Sequence, residues 1–200
     1  MSLWKFGLEV FVALFVIMDP PGSAPIFLGL VSDKSAAERK KLALHATLVA
    51  FSVITLFALF GQFILSYLGI SLSAMQAAGG LLLLLVSLEL LTGKDQGHHS
   101  AGDTNIALVP LGTPLLAGPG AIVATIIFVR RIETVNEGLV LAAAVIAVHV
   151  ALWLILRASS GVFRVLRQSG VTLVARIAGL LLSAIAVQMI ADAIRAFVKA

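Results

Sequence analysis

The chain has no cysteine, which excludes disulfide staples and thiol-based redox relays. It is also poor in charge: Asp, Glu, Lys and Arg make up 12% of its 200 residues, against about 25% in soluble domains. The few basic residues lie in short links between apolar runs, so a formal charge of +4 does not point to nucleic acid. Four histidines are scattered, apart from His98-His99 in a glycine-rich stretch, and form no zinc-binding pattern. A phosphate-cradling loop is missing, which argues against ATP-driven action by this chain alone. Also missing are a nucleophile-elbow pattern and a helical Asp/Glu–His metal pair. The expectation is no cofactor, no metal and no enzymatic activity.

Apolar side chains are what the chain has in plenty. Hydrophobic residues make up 60% of it and the mean hydropathy is +1.09, so it belongs in a lipid bilayer. A crossing helix needs about 20 mostly apolar residues. Runs of that size occupy 3–31, 42–65, 69–91, 106–129, 138–157 and 172–197, which predicts six transmembrane helices. Polar connections are expected at 32–41, near Tyr67-Leu68-Gly69, at 92–105, at 130–137 and at 157–170. Lys5 followed by an apolar run resembles a signal peptide, but no small-residue cleavage site follows, so a retained first span is expected.

The first run is interrupted by Asp19-Pro20-Pro21-Gly22-Ser23-Ala24-Pro25. Two prolines and a glycine cannot continue an α-helix. In hydrocarbon, backbone freed that way persists only where protein or a water-filled cavity surrounds it. A new half-helix is predicted to start at Pro20 with Asp19 as its N-cap. Its amide groups would favour an anionic ligand. Pro114-Leu115-Leu116-Ala117-Gly118-Pro119-Gly120 repeats the device later.

A gapless shift of 99 residues lays Pro20 on Pro119, Leu42-Ala43 on Leu141-Ala142, Gly80 on Gly179 and Glu89 on Gln188. Each copy holds three spans, an odd number, so the second must be upside down relative to the first. The fold class is therefore all-α: a polytopic membrane protein of two inverted three-helix repeats, the first helix broken in each. Repeat 1 covers about 1–92 and repeat 2 about 106–200 of a single transmembrane domain, joined by a polar cytoplasmic loop at 93–105. Lysine and arginine favour the cytoplasmic side. Lys5 stands alone before the first helix, against Lys34, Arg39, Lys40 and Lys41 after it, which places both termini outside.

Polar residues within the spans have two readings each. Asp19 caps the half-helix, and it also suits a substrate contact or proton exchange. Ser23, Thr113 and Thr125 suit substrate contact or bond back to their own helix. His149, mid-span, suits proton coupling or a structural hydrogen bond. Glu89 is a further proton-coupling candidate, otherwise solvated near a helix end. Gln188 and Gln76 are expected to bond across helices.

The stretches 19–28 and 114–122 resemble the two signature motifs of the MarC family, and the resemblance covers essentially the whole chain. In many relatives the first motif reads Asp-Pro-hydrophobic-Gly-Asn. Pro21 and Ser23 depart from it, which bears on substrate preference rather than on fold. The resemblance implies a multi-pass inner-membrane protein akin to the LysE-type exporters, and some members are similar to proton-coupled neutral amino-acid transporters.

The leading expectation is a secondary transporter of a small solute such as a neutral amino acid, with the bilayer and that solute as partners. A homo-oligomer is compatible with the sequence, and no nucleic acid is expected. Substrate-binding candidates are Asp19, Pro20, Gly22, Ser23, Thr113, Gly118, Pro119 and Gly120; proton-coupling candidates are Asp19, His149 and Glu89. Alternatives are a non-transporting scaffold or regulator, and an intramembrane hydrolase using Ser23 and His149.

Overall fold

A proline disfavours helical backbone in the residue before it, and the first helix obeys that rule by stopping at Met18. A computed structural model of the chain describes residues 2–31, 34–92 and 116–199. In it α1 (Leu3–Met18) has 16 residues, about 24 Å of rise and too short to cross about 30 Å of hydrocarbon alone. α2 (Pro20–Leu30) restarts after one residue. The run from 3 to 31 is thus two half-helices.

α3 (Ala36–Tyr67), α4 (Leu72–Thr92), α5 (Pro119–Arg130), α6 (Val135–Arg157) and α7 (Ser159–Lys199) follow. By length and composition α3, α4, α6 and the Arg176–Val198 part of α7 can each cross a membrane, while α5 is a shorter apolar helix. The chain is therefore an all-helical multi-pass membrane protein. The two remaining runs of the expected six are the α1–α2 pair and α5 with what precedes it. Thr113, Pro114, Leu115 and the loop 93–105, with His98-His99, lie outside the described residues.

The link expected at 157–170 is a correction. The chain turns at Ala158 and is helical again from Ser159, so that α7 runs for 41 residues. In the first half the corresponding turn comes later, where Gly69 takes a φ of +67° after α3. The shift of 99 puts Gln168 in that glycine's place. Glutamine adopts left-handed backbone only at a cost, so the helix continues through.

The same shift is written into the helix starts. α3 opens on a capping box in which the Ser35 hydroxyl accepts from the Glu38 N–H and the Glu38 carboxylate accepts from the Ser35 N–H. α6 opens on the same box made by Thr134 and Glu137, each 99 residues further on. Backbone N–H groups of Glu133 and Thr134 hold the exposed Glu137 carboxyl below its ordinary value. A lowered carboxyl stabilises the fold above its unfolded-state pKa and loses that contribution as pH falls through the folded value. Acidification through that window should fray the start of α6 in amide-exchange measurements, and Glu137→Gln should remove the pH dependence.

Packing follows the exchange. α4 and α7 share the most extensive contact, α3 meets α6, α2 packs on α6 and α7, and α5 packs on α3 and α4. A Cβ on Gly80 would meet the Ala186 carbonyl, Met189 and Ile190; one on Gly179 would meet the Ser87 carbonyl, Leu90 and Leu91. Each of these neighbours is the counterpart of the other set, 99 residues away. Rising numbers on α4 pair with falling numbers on α7, so the two run antiparallel, as a two-fold axis across the helices requires. One apolar core joins α1, α2, α3, α5 and α6, and a second joins α4, α5 and α7. Around them Leu59, Phe63, Leu85, Leu180 and Val187 are exposed, as a lipid-facing surface should be.

Arg131, just past α5, makes a two-pronged ion pair with Glu9 of α1 and lies over the rings of Phe6 and Phe128. This puts the start of α1 and the end of α5 on one face of the protein, where Lys5 and Arg130 also sit. Both partners are about two-fifths exposed (40% and 42%), so the pair is worth at most about 1 kcal/mol. Glu9→Gln should lower the melting temperature slightly at low salt and not at all at high salt.

Candidate functional site

Asp19 is the one non-glycine residue with positive φ among the described residues, at φ 42° and ψ 63°. Aspartate tolerates this left-handed region better than most residues. Its backbone N–H donates to the Phe15 carbonyl and closes α1, while its Oδ1 accepts from the Gly22 N–H at 3.2 Å and caps α2. One residue therefore ends one helix and begins the next. The Ser23 N–H donates to the Asp19 carbonyl, and the Ser23 hydroxyl donates to the Met18 carbonyl at 3.4 Å across the break.

The expectation that the start of α2 offers amide groups to an anion is corrected by this geometry. Pro20 and Pro21 have no N–H, the Gly22 N–H is held by the Asp19 carboxylate, and the Ser23 N–H is held by the Asp19 carbonyl. No donor remains for a ligand in that first turn. What α2 presents instead is negative charge. A Cβ on Gly22 would strike the Asp19 carboxylate. Gly22→Ala should expel that carboxylate from its cap and cost about 1 kcal/mol or more, read as a lower melting temperature in detergent.

Asp19 and Ser23 are both buried. Asp19 borders a half-open groove of about 190 Å³ lined also by Phe15, Val16, Pro21, Ile177, Ala178 and Leu181, of which Ile177 and Leu181 are exposed. The wall opposite the break is α7, and no α5 residue is among the lining. The lining residues are apolar but for Asp19, rather than broadly polar. It suits a small ligand with an apolar body and one positive group.

The second break is built differently. Gly118 is the N-cap of α5 in extended backbone, with no side-chain cap, and Pro119 follows at the first position. The Ala121 and Ile122 N–H groups return to the Gly118 carbonyl. A Cβ on Gly120 would run into Leu83, so glycine here lets α5 approach α4. Thr125 is buried and its hydroxyl donates to the Ala121 carbonyl of its own helix.

Elsewhere the candidates stand apart from Asp19. His149 is buried on α6, with Nδ1 2.8 Å from the Val145 carbonyl and Phe51 edge-on to its ring. Ser23 and His149 thus bond separate carbonyls. Glu89 is exposed on α4. Gln188 does not bond across helices as expected: its amide donates to Asp192 one turn along α7, at 2.9 Å, and Arg195 reaches the same oxygen. That face of α7 is exposed, which puts a cross-helix partner out of reach.

Comparison with known proteins decides the family. The MarC model, described as "MarC family integral membrane protein", matches residues 4–198. The chain belongs to the MarC family. A "UPF0056 membrane protein" of Methanocaldococcus jannaschii is 37% identical, with 96% of this chain and 97% of that protein covered. One from Aquifex aeolicus is 33% identical over 98% and 96%. YhcE of Escherichia coli, also a "UPF0056 membrane protein", is 32% identical over 94% and 91%. No solved structure matches.

In this MarC-family chain the motif residues Asp19, Pro20, Gly22 and Ser23 come together at one break, and Gly118, Pro119 and Gly120 at another. Sequence reasoning missed the opposite wall, Ile177, Ala178 and Leu181 of α7. The shift of 99 maps Ala178 onto Gly79 and Ala24 onto Val123, but the contact of Gly79 with Val123 is a feature of the fold, so the sequence held no signal for this wall.

Proposed function

We propose that this protein is a secondary transporter of a small zwitterion, a neutral amino acid, in the cell inner membrane, and not an enzyme. The observation that carries the reading is a buried aspartate at a helix break, bordering a small, half-open apolar groove in a membrane protein. An ionisable group kept at such a place is costly and marks a functional site by default. The Asp19 carboxylate takes the substrate ammonium, because the first turn of α2 has no amide to give. Alternating access comes from one three-helix repeat rocking against the other, with both termini on the periplasmic side. Asp19 or His149 exchanges a proton during the cycle.

The test is uptake of labelled alanine and glycine into proteoliposomes, with and without a pH gradient. Uptake above empty vesicles that responds to the gradient is expected. No uptake of any neutral amino acid, in preparations that keep their helical content, would overturn the reading.

A further inference from the structure

A half-open groove of about 550 Å³ lies between the end of α3, the start of α4 and α5. Its floor is buried Ile126 of α5, which rests against Gly61 of α3. Phe57 and Leu68 mark its two ends along α3, and Ala74 and Ala78 of α4 form the facing wall. The two alanines open it: under the shift of 99 the other repeat has Leu173 and Ile177 in their places. Every lining residue is apolar. These side chains have no hydrogen bond to give, so the groove refuses a zwitterion and suits hydrocarbon.

Its length and its mouth identify the occupant. Phe57 and Leu68 are separated by about 16 Å along the helix axis. That is one leaflet, half of a hydrocarbon core of about 30 Å. Tyr67, 83% exposed at the end of α3 with its ring stacked on Phe63, is the kind of residue that sits at headgroup level. Gly61 meets Ile126 and Gly79 meets Val123, so the ends of α3 and α5 and the start of α4 share one face. The groove therefore reaches from the headgroups toward the middle of the bilayer. At its headgroup end stands Arg130, the last residue of α5 and one turn beyond Ile126. Helical side chains lean back over the preceding turn, which carries this guanidinium toward the mouth of the groove. Arg130 is exposed and has no acidic partner among the described residues. A guanidinium takes a phosphate through two parallel hydrogen bonds. An apolar slot one leaflet long with a cation at its headgroup end has the layout of an acyl chain beneath a phosphate.

We propose that this groove binds one anionic phospholipid, with an acyl chain lying between α3 and α4 and the phosphate paired with Arg130. The groove is separate from the one beside Asp19, and its test needs no transport, so it stands or falls independently of the transporter reading.

Native mass spectrometry of the full chain in detergent, titrated with phosphatidylglycerol or with phosphatidylcholine of the same chains, counts the lipids retained. The first phosphatidylglycerol should be held about fivefold more tightly than the first phosphatidylcholine, the usual worth of one basic residue facing anionic lipid. Arg130→Gln should remove that preference and leave the two lipids equal. Ala74→Leu with Ala78→Ile, the residues of the other repeat, should abolish retention of the first lipid of either kind. Lys5→Gln, on the same face but away from the groove, should leave the preference intact. Equal affinity for both lipids in the native chain would overturn the proposal, as would equal loss of preference with Lys5→Gln and Arg130→Gln. A lipid-free dimer that the groove-filling variant dissociates would also overturn it, by giving the groove to a second copy. The two lipids are compared first on the native chain, so the test does not depend on any variant folding.

Discussion

Valine at Gly80 or at Gly179 should unseat α4 from α7 and cost at least about 1–3 kcal/mol, the usual penalty for extra atoms in a closed contact. Nothing in a bilayer offsets the loss, because lipid is as apolar as the helix face it would replace, and association there depends on close packing at small residues. Alanine separates the two positions more finely. A Cβ at Gly80 would sit 2.8 Å from Ile190 Cγ1 and 2.9 Å from the Ala186 carbonyl, whereas at Gly179 its three neighbours are all 3.1 Å away. Alanine in place of helical glycine also gains about 1 kcal/mol of helix propensity. At Gly179 a yield of a few tenths of an ångström leaves the balance near zero. Both positions face a backbone oxygen, which cannot step aside, but at Gly80 it would be 2.9 Å from the added Cβ against 3.1 Å at Gly179, so Gly80→Ala should be the more destabilising. Thermal melts in detergent of both alanine and both valine variants measure the order, with exposed Leu81→Ala as a control that should stay near wild type. Equal stability of all four variants would show that α4 and α7 do not pack through these glycines.

The two-fold relation was legible in the sequence only in outline. Pro20 over Pro119 and Gly80 over Gly179 were visible as matched letters, and proline and glycine carry their backbone consequences with them. The capping boxes at Ser35/Glu38 and Thr134/Glu137 were equally readable but fell in links that looked merely polar. Residues 159–170 misled because serine, glycine and arginine suggest a loop. What decides there is the absence of a glycine where Gly69 turns the first copy. The pair Glu9–Arg131 joins residues far apart in the chain and left no pattern to read. The break at Asp19 was legible, but not which way its charge would turn. That depends on φ 42°, which brings the carboxylate over Gly22 and takes up the donor the sequence had seemed to offer.

Substitutions at Asp19 should therefore separate architecture from function. Asparagine tolerates left-handed backbone and keeps an oxygen for the Gly22 N–H, so Asp19→Asn should melt close to wild type. Glycine relieves the backbone and loses the side-chain cap, at a cost of only roughly 0.3 kcal/mol. Alanine loses the cap and adds about 1–2 kcal/mol for a Cβ in left-handed backbone, giving about 2–3 kcal/mol in all. The expected order of stability is aspartate with asparagine, then glycine, then alanine. Transport should not follow that order. If the carboxylate holds the substrate ammonium, neutral asparagine removes a buried charge pair worth about 2–5 kcal/mol, a drop of roughly 30-fold or more in uptake at low substrate concentration. All three variants should then fall together in proteoliposomes, whatever their melting temperatures. Uptake that tracked stability instead, with Asp19→Asn fully active, would assign Asp19 to capping alone and move the substrate's positive end elsewhere. The order matters because a cap and a ligand contact use different properties of one side chain: the first needs an oxygen in place, the second needs its charge.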